Sequence, residues 1–364
     1  MHLITHRHPR FCSYNLNLNS TRIPVFHQRI PPFRLQSTIS HPYKFHIGAS
    51  WAGKPPDRLR PKVQAPDFAS TSDIAKWRAH VLSNYKNINS QHIGEDFFFV
   101  QEMRSQSGVA LGVADGVGGW VDVGVDPSLF SQALMYHAHR YAKQGWAGEP
   151  EIDPTQEYEE REEIEGWEMS PRECLELAHD AVIREKAVNA GSSTACVINL
   201  NASSGHLRSA NLGDSGFCII RSSSAIYTQP PQTHFFNCPK QLTKLPSTAR
   251  RYRGACVDSA SQADNFETNL LHGDIVIAFT DGLSDNVFLS EMVNICSLVG
   301  RTGGPEINQV QGIADRLVHW ATLCMSNRKR VSPFEKAAAR EGMYFRGGKI
   351  DDVTVVVAMV QETV

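Results

Sequence analysis

The chain has 364 residues, 41% hydrophobic and 20% charged, with a formal net charge of −2. That length holds one large domain or two ordinary ones, and the composition is that of an ordinary soluble globular protein. No apolar run approaches the roughly 20 residues of a bilayer span, and no basic, aromatic-laced stretch points to nucleic acid.

Charge is unevenly placed. Met1 to Pro56 contains no Asp or Glu but carries Arg7, Arg10, Arg22, Arg29, Arg34, Lys44 and Lys54. All 38 acidic residues and 29 of the 36 basic ones therefore lie at 57–364. An Arg- and Ser-rich segment without acids, and without the apolar core of a secretory signal, reads as a mitochondrial transit peptide. Such a segment responds to an inside-negative membrane potential. The plainer alternative is a basic tail with no address. Strand-like alternation begins at Tyr43-Lys44-Phe45-His46-Ile47, so the expected division is a leader at 1–42 and a folded domain at 43–364.

Within the folded part, Ser72-Asp73 with Ile74, Trp77, Val81 and Leu82 predicts a capped amphipathic helix. Next, Glu95-Asp96 opens the aromatic run Phe97-Phe98-Phe99-Val100, a strand in which at most one of the two acids can face a shared centre. Val109 to Ala114 is an apolar strand ending on Asp115-Gly116-Val117-Gly118-Gly119, where the backbone turns sharply without Cβ obstruction. Asp126-Pro127-Ser128 begins a helix to about Tyr141, with Pro127 in its first turn. Residues 145–170 hold ten acids against one base, Arg161, and read as an acidic surface insertion. Ser170-Pro171-Arg172-Glu173 is a capping box leading into an apolar face of Cys174, Leu175, Leu177, Ala178, Ala181, Val182 and Ile183.

Strands are expected at Thr194–Leu200, His206–Leu212 and Gly216–Arg221, with Asp214 in the Gly-flanked second turn. Ile275 to Phe279 repeats the earlier pattern, a wholly apolar strand running into Thr280-Asp281-Gly282 with Asp285 four residues on. A helix from about Ile313 to Met325 precedes a last strand, Val353–Ala358, entered through Asp351-Asp352. The eight cysteines are scattered without a Cys-x-x-Cys, which favours reduced, mostly buried thiols over a zinc site or disulfide framework.

Four segments thus carry carboxylates to the ends of apolar strands: Glu95/Asp96, Asp115, Asp281/Asp285 and Asp351/Asp352. Taken singly, each is equally a solvated or turn-forming acid. Converging, they would repel one another and rise in pKa unless a cation compensated them. Oxygen-only ligation points to a hard ion, Mg²⁺ or Mn²⁺. Two such ions activate water and clamp a phosphoryl group, so no protein nucleophile is needed. A rival cysteine mechanism would use the single Cys-x₅-Arg, Cys324 with Arg330, but it lies at the end of a predicted helix without a Gly-rich phosphate cradle.

The motifs Val113-Ala114-Asp115-Gly116-Val117-Gly118-Gly119-Trp120, Gly124-Val125-Asp126-Pro127, Gly191-Ser192-Ser193-Thr194, Asn211-Leu212-Gly213-Asp214-Ser215-Gly216, Thr280-Asp281-Gly282-Leu283-Ser284-Asp285 and Gly347-Gly348-Lys349-Ile350-Asp351-Asp352 occur in this order. In them the chain resembles the metal-dependent protein serine/threonine phosphatases (the PPM, or type 2C, family), and within that family the mitochondrial branch. The resemblance implies an α+β fold, a four-layer α/β/β/α sandwich whose two central antiparallel sheets are flanked by helices. It implies a monomer that hydrolyses phosphoserine and phosphothreonine on proteins, with two Mg²⁺ or Mn²⁺ ions and a weaker third. By position, Asp115 would bridge both ions, the Gly116 carbonyl would hold one, and Asp281 and Asp351 the other. Asp96 and Glu95 would support the centre, Asp285 would serve the third ion, and Asp214 would tie a turn beneath the site. Two departures stand out. Val117 replaces the family's general-acid histidine, a loss worth about 10²–10⁴-fold, and the final motif reads Asp351-Asp352 where Asp-Asn is usual. The family's phosphate-binding arginine has no clear counterpart, although Arg346 lies nearby in sequence. A catalytically weak or inactive binding module of the same fold is the alternative, but no ligand position has lost its acid.

Overall fold

A computed structural model describes residues 41–55, 67–85, 92–148, 167–246 and 256–363. The expected leader at 1–42, save its last two residues, and most of the acidic insertion at 145–170 lie outside the described residues. In chain order the strands are β1 (Tyr43–Ala52), β2 (Asp96–Glu102), β3 (Gly108–Asp115), β4 (Gly191–Ser193), β5 (Ala195–Asn201), β6 (His206–Leu212) and β7 (Gly216–Arg221). They continue with β8 (Ser224–Thr228), β9 (Thr233–Phe235), β10 (Cys238–Pro239), β11 (Leu242–Lys244), β12 (Asp264–Asn269), β13 (Ile275–Phe279) and β14 (Val353–Glu362). The helices are α1 (Asp73–Asn84), α2 (Ser128–Gln144), α3 (Pro171–Arg184), the single turn α4 (Asp281–Ser284), α5 (Leu289–Thr302), α6 (Glu306–Met325) and α7 (Pro333–Arg340).

Two five-stranded sheets form the centre, one in the order β1-β14-β13-β7-β8 and the other β12-β6-β5-β3-β2. Every pairing within them is antiparallel. Helices α2 and α3 cover the second sheet, α6 covers β1 and β14 of the first, and β14 and β13 contact β2 and β3 across the middle. This is the expected α/β/β/α sandwich.

The middle position explains the composition of β13 and β14. Antiparallel strands that face water on one side alternate apolar with polar residues, whereas a strand covered on both faces is apolar throughout. Here Val276, Ala278, Val356 and Ala358 enter the core between the sheets. Their neighbours Ile277, Phe279, Val355 and Val357 enter a second core beneath α5 and α6. The period of two survives as a choice between two cores.

Helix starts follow their caps. Ser72 Oγ accepts from Ala75 N at the head of α1, and Ser170 Oγ accepts from Glu173 N at the head of α3, with Pro171 in the first turn. Three expectations need correction. Pro127 caps α2 from outside rather than standing in its first turn, and the helix runs on to Gln144. Helix α6 begins at Glu306, because Asn308, Gln309 and Gln311 in its early turns mask the apolar period around buried Val310. Ile183 is 44% exposed at the end of α3, one position past the buried stripe that ends at Val182.

Candidate active site

Register alone brings the acids together. Asp96, first residue of β2, is the direct partner of Asp115, last residue of β3. At the other sheet, Phe279 at the end of β13 pairs with both Val355 and Gly216. Antiparallel neighbours reverse direction, so the exit of β13 lies beside the entrances of β14 and β7. Asp281, Asp351-Asp352 and Asp214 therefore share one end of that sheet. Thr280 ties the two sheets there: its Oγ1 donates to Asp96 Oδ2 at 2.7 Å and accepts from Thr354 N at 3.0 Å.

Local structure then aims each side chain. Asp281 opens the single turn α4, and Asp285 N donates to Asp281 O at 2.8 Å, so the two carboxylates are one turn apart on the same side. Gly282 must lack a side chain, since a Cβ there would lie 1.9 Å from Asp352 O. Gly116 is equally confined, with a Cβ meeting Pro127 O at 2.7 Å and Glu95 O at 2.8 Å. Asp352 is 2% exposed and accepts from Lys54 N at 2.7 Å and Glu95 N at 3.0 Å, which joins the ends of β1 and β14 to the head of β2.

Two lysines, neither singled out in the sequence, reach into this acid group. Lys349 Nζ lies 2.6 Å from Asp281 Oδ2, 2.7 Å from Asp285 Oδ2 and 3.3 Å from Asp351 Oδ2. Its backbone is pinned on both sides by Asn286, which accepts from Lys349 N and donates to Lys349 O, each at 2.9 Å. Lys54 Nζ lies 2.7 Å from Glu95 Oε2, 3.2 Å from Asp351 Oδ1 and 3.1 Å from Asp352 Oδ2. Burial works to depress both ammonium groups, but the surrounding carboxylates outweigh it and raise them.

The cations are outnumbered. Burial and neighbouring carboxylates hold Asp96, Asp115 and Asp214 well above the usual range. Burial raises Asp285 to about 7 against the pull of Lys349, while burial of Asp281 is overcome by Lys349 and its carboxyl is held low. The Oδ1 atoms of Asp96, Asp214 and Asp281 are buried without a hydrogen-bond partner. Oxygens of Asp115, Asp214 and Asp281 lie within 4.8 Å of one another. Asp214 was expected only beneath the site. Its Gly-flanked turn looks alike in either role, and the deciding fact is that β7 pairs with β13.

Glu95, Asp96, Asp115, Gly116, Asp281, Asp285 and Asp351 all gather at this end. The rival pair does not. Cys324 is 2% exposed at the end of α6 and burial raises its thiol, while Arg330 pairs with Glu291 and lies over the Phe288 and Trp320 rings. Arg346 is exposed.

No family model matches the chain. The protein phosphatase PTC7 homolog fig of Drosophila willistoni is 35% identical over 284 residues, covering 78% of this chain and 82% of its own length. The PTC7 homolog of Homo sapiens is 34% identical over 269 residues, covering 74% of this chain and 80% of its own. Among solved structures, the photosystem II phosphatase PBCP aligns with a TM-score of 0.58 at 24% identity, over 87% of this chain and 98% of that one, a likeness of fold. With the sandwich and its acid-lined end in place, the relatives decide the family: the chain belongs to the PPM (type 2C) protein serine/threonine phosphatases, among the PTC7 homologues.

Proposed function

We propose that this phosphatase works with two divalent ions, Mg²⁺ or Mn²⁺, held among the acids at the strand ends. The observation that carries this is the set of three buried, partnerless carboxylate oxygens on Asp96, Asp214 and Asp281. Buried polar atoms are rarely left unpaired, and hard cations take all-oxygen ligand sets of this kind. Asp115, the Gly116 carbonyl, Asp281 and Asp351 are the proposed ligands, with Asp96 and Glu95 supporting them. Lys349 reaches Asp281 only on Oδ2, and among the described residues the carboxylates grouped closely enough to share a cation are Asp115, Asp214 and Asp281. Bound there, a pair of ions supplies an activated water and a clamp on the phosphoryl oxygens.

The chain's own residues hold and exclude. Asp352 and Thr280 fix the strand ends on which the ligands stand. Val117, half-buried beside Gly116, offers no proton to the leaving alkoxide. The acid-free segment Met1–Pro56 supports delivery to the mitochondrial matrix, where phosphorylated proteins would be the substrates of a monomeric enzyme.

The test is hydrolysis of a phosphothreonine peptide by the full chain with Mn²⁺ or Mg²⁺, and with EDTA. Wild type runs beside Asp115→Asn and Cys324→Ser. Metal-dependent turnover lost only in Asp115→Asn is the expected result. Loss only in Cys324→Ser would overturn the reading, and wild type that binds Mn²⁺ without turnover would make the chain a binding module.

A further inference from the structure

Of the seven cysteines among the described residues, five are buried and two, Cys238 and Cys256, are half-buried. Those two stand together. Their Sγ atoms lie 3.7 Å apart although the residues are 18 positions apart in sequence. A disulfide bond is about 2.05 Å long, so the sulfurs need to close by only about 1.7 Å to be joined.

Each thiol is tied to a different support of the acid site. Cys238 belongs to the short hairpin of β9 and β10, where it pairs with Phe235. Phe236, in the turn of that hairpin, lies 5.1 Å from the Phe334 ring, and that ring lies 5.1 Å from Lys349 Nζ, the cation held by Asp281, Asp285 and Asp351. Cys256 is fastened instead to β11. Its carbonyl accepts from Thr243 Oγ1 at 2.8 Å, and two residues on, Asp258 Oδ2 accepts from Gln241 N at 2.9 Å while Asp258 N donates to Gln241 O at 3.1 Å. Strand β11 pairs with β4, and β4 borders the Asp115 turn: Ser193 Oγ donates to Asp115 O at 2.8 Å, and Val117 N donates to Ser192 O at 3.0 Å. A bond between the sulfurs would therefore join the hairpin to the layer that carries Asp115 and Gly116.

We propose that Cys238 and Cys256 form a reversible dithiol, oxidised by hydrogen peroxide to a disulfide that clamps the β9–β10 hairpin and hinders the phosphoprotein from reaching the site. Burial, with the S–H bond to Cys256, pushes the Cys238 thiol up to about 11, so Cys238 stays protonated and Cys256 makes the first attack. The Cys256 thiolate takes one peroxide oxygen, the O–O bond breaks, and the departing hydroxide gains a proton and leaves as water. The Cys238 sulfur then attacks the resulting sulfenic sulfur. Its S–O bond breaks, and the hydroxyl leaves with the Cys238 proton as a second water. Two thiols have lost two electrons, and the peroxide has gained them. An external dithiol restores both sulfurs by exchange. This chemistry does not depend on the two-ion reading.

The experiment uses the full chain without metal, as wild type, Cys238→Ser and Cys256→Ser. Each protein is treated with hydrogen peroxide, freed of it, and divided, one half being reduced again with dithiothreitol. Oxidised wild type should lose the mass of two hydrogens and yield a peptide pair joined through Cys238 and Cys256, and dithiothreitol should reverse both. Mn²⁺ is then added and hydrolysis of a phosphothreonine peptide is followed. Oxidation should raise the KM of wild type at least about threefold and change kcat less than about twofold, since the hairpin reaches the acids only through Phe334 and Lys349. Both serine variants should hydrolyse like reduced wild type and show no such rise. Cys238 and Cys256 that both remain open to N-ethylmaleimide after peroxide would overturn the proposal. So would a joined peptide pair that leaves KM unchanged, or an equal rise of KM in Cys256→Ser. The mass and peptide readouts need no turnover, so a failed bond is distinguishable from a failed two-ion reading.

Discussion

Strand β13 has a buried aspartate just outside each end, and the two are treated in opposite ways. Asp274, before the strand, is fully buried and accepts from Arg221 Nε at 2.8 Å, Arg221 Nη2 at 2.6 Å and Leu271 N at 2.8 Å. Asp281, after the strand, receives Lys349 on Oδ2 while its Oδ1 has no hydrogen-bond partner, and a carboxylate oxygen of Asp281 lies within 4.8 Å of oxygens of Asp115 and Asp214. The same side chain, five residues of strand apart, is satisfied at one end and left wanting at the other. A carboxylate that only supports the fold collects donors. One kept for a ligand is left short of them, and burial without donors is the physical mark of the site.

The widest separation of the two ends comes from making the same change at each. Asp281→Asn should lower kcat/KM on a phosphothreonine peptide by 10³-fold or more, about 4 kcal/mol of barrier. Its metal-free stability should stay within about 1 kcal/mol, since Lys349 keeps Asp285 and Asp351. Asp274→Asn should do the reverse. Hydrolysis stays near wild type while urea unfolding shows a loss of about 2 kcal/mol, less than for a fully buried pair because Arg221 is 31% exposed. Equal effects of the two changes on activity would erase the distinction.

A second test removes the cation instead of the acid. Lys349→Met leaves Asp281, Asp285 and Asp351 without their shared ammonium, and metal-free unfolding should lose about 3 kcal/mol. Saturating Mn²⁺ should then raise the melting temperature of the variant by more than that of wild type. A variant as stable as wild type without metal would show that these acids are protonated and need no compensation.

The contrast between the ends also marks how far the sequence could be read. Strand β13 announces itself as an unbroken apolar run, and β14 as one interrupted only by Thr354 between Val353 and Val360, because both faces are covered, and the acids at their ends are conspicuous against that background. The caps of α1 and α3 are legible for the same reason, since Ser72 and Ser170 act on backbone within three residues. What stayed hidden depends on distant pairing. Lys54 meets Asp351 across 297 positions and Lys349 meets Asp281 across 68, and neither has a local pattern that foretells it. Asp214 and Asp274 illustrate the limit from both directions: each sits beside a glycine in a turn, and only strand register tells which one enters the site.

The pH dependence of stability should carry opposite signs in the site and in the helix layer. Carboxyls raised in the folded state, such as Asp285 moved from 3.8 to about 7, contribute stability that is present below 3.8 and lost as pH rises through their folded values. His137 on α2 behaves the other way. Burial, with Arg140, depresses it from 6.5 to about 4 although Glu185 Oε2 lies 3.8 Å from its ring. Its contribution, about 3 kcal/mol at 1.36 kcal/mol per pKa unit, is present above 6.5 and lost as pH falls towards 4. In metal-free protein, His137→Gln should therefore lose less stability, or gain more, than wild type in urea unfolding taken from pH 7 to pH 4.5. Equal changes would remove His137 from the account. Saturating Mn²⁺ should flatten the loss at rising pH and leave the histidine limb alone.

The smallest effect expected is at a group satisfied wholly by its neighbours in sequence. Ser170 Oγ accepts from Glu173 N at 3.2 Å, and Pro171 fixes the first turn of α3. Ser170→Ala removes one cap bond and should cost about 1 kcal/mol of stability, with or without Mn²⁺ and with no change in turnover. That indifference to metal is what sets it beside Asp274 rather than Asp281. A Ser170→Ala protein whose loss of stability was recovered by Mn²⁺ would mean that helix α3 feels the state of the site, and that the division between satisfied and unsatisfied groups does not separate fold from function.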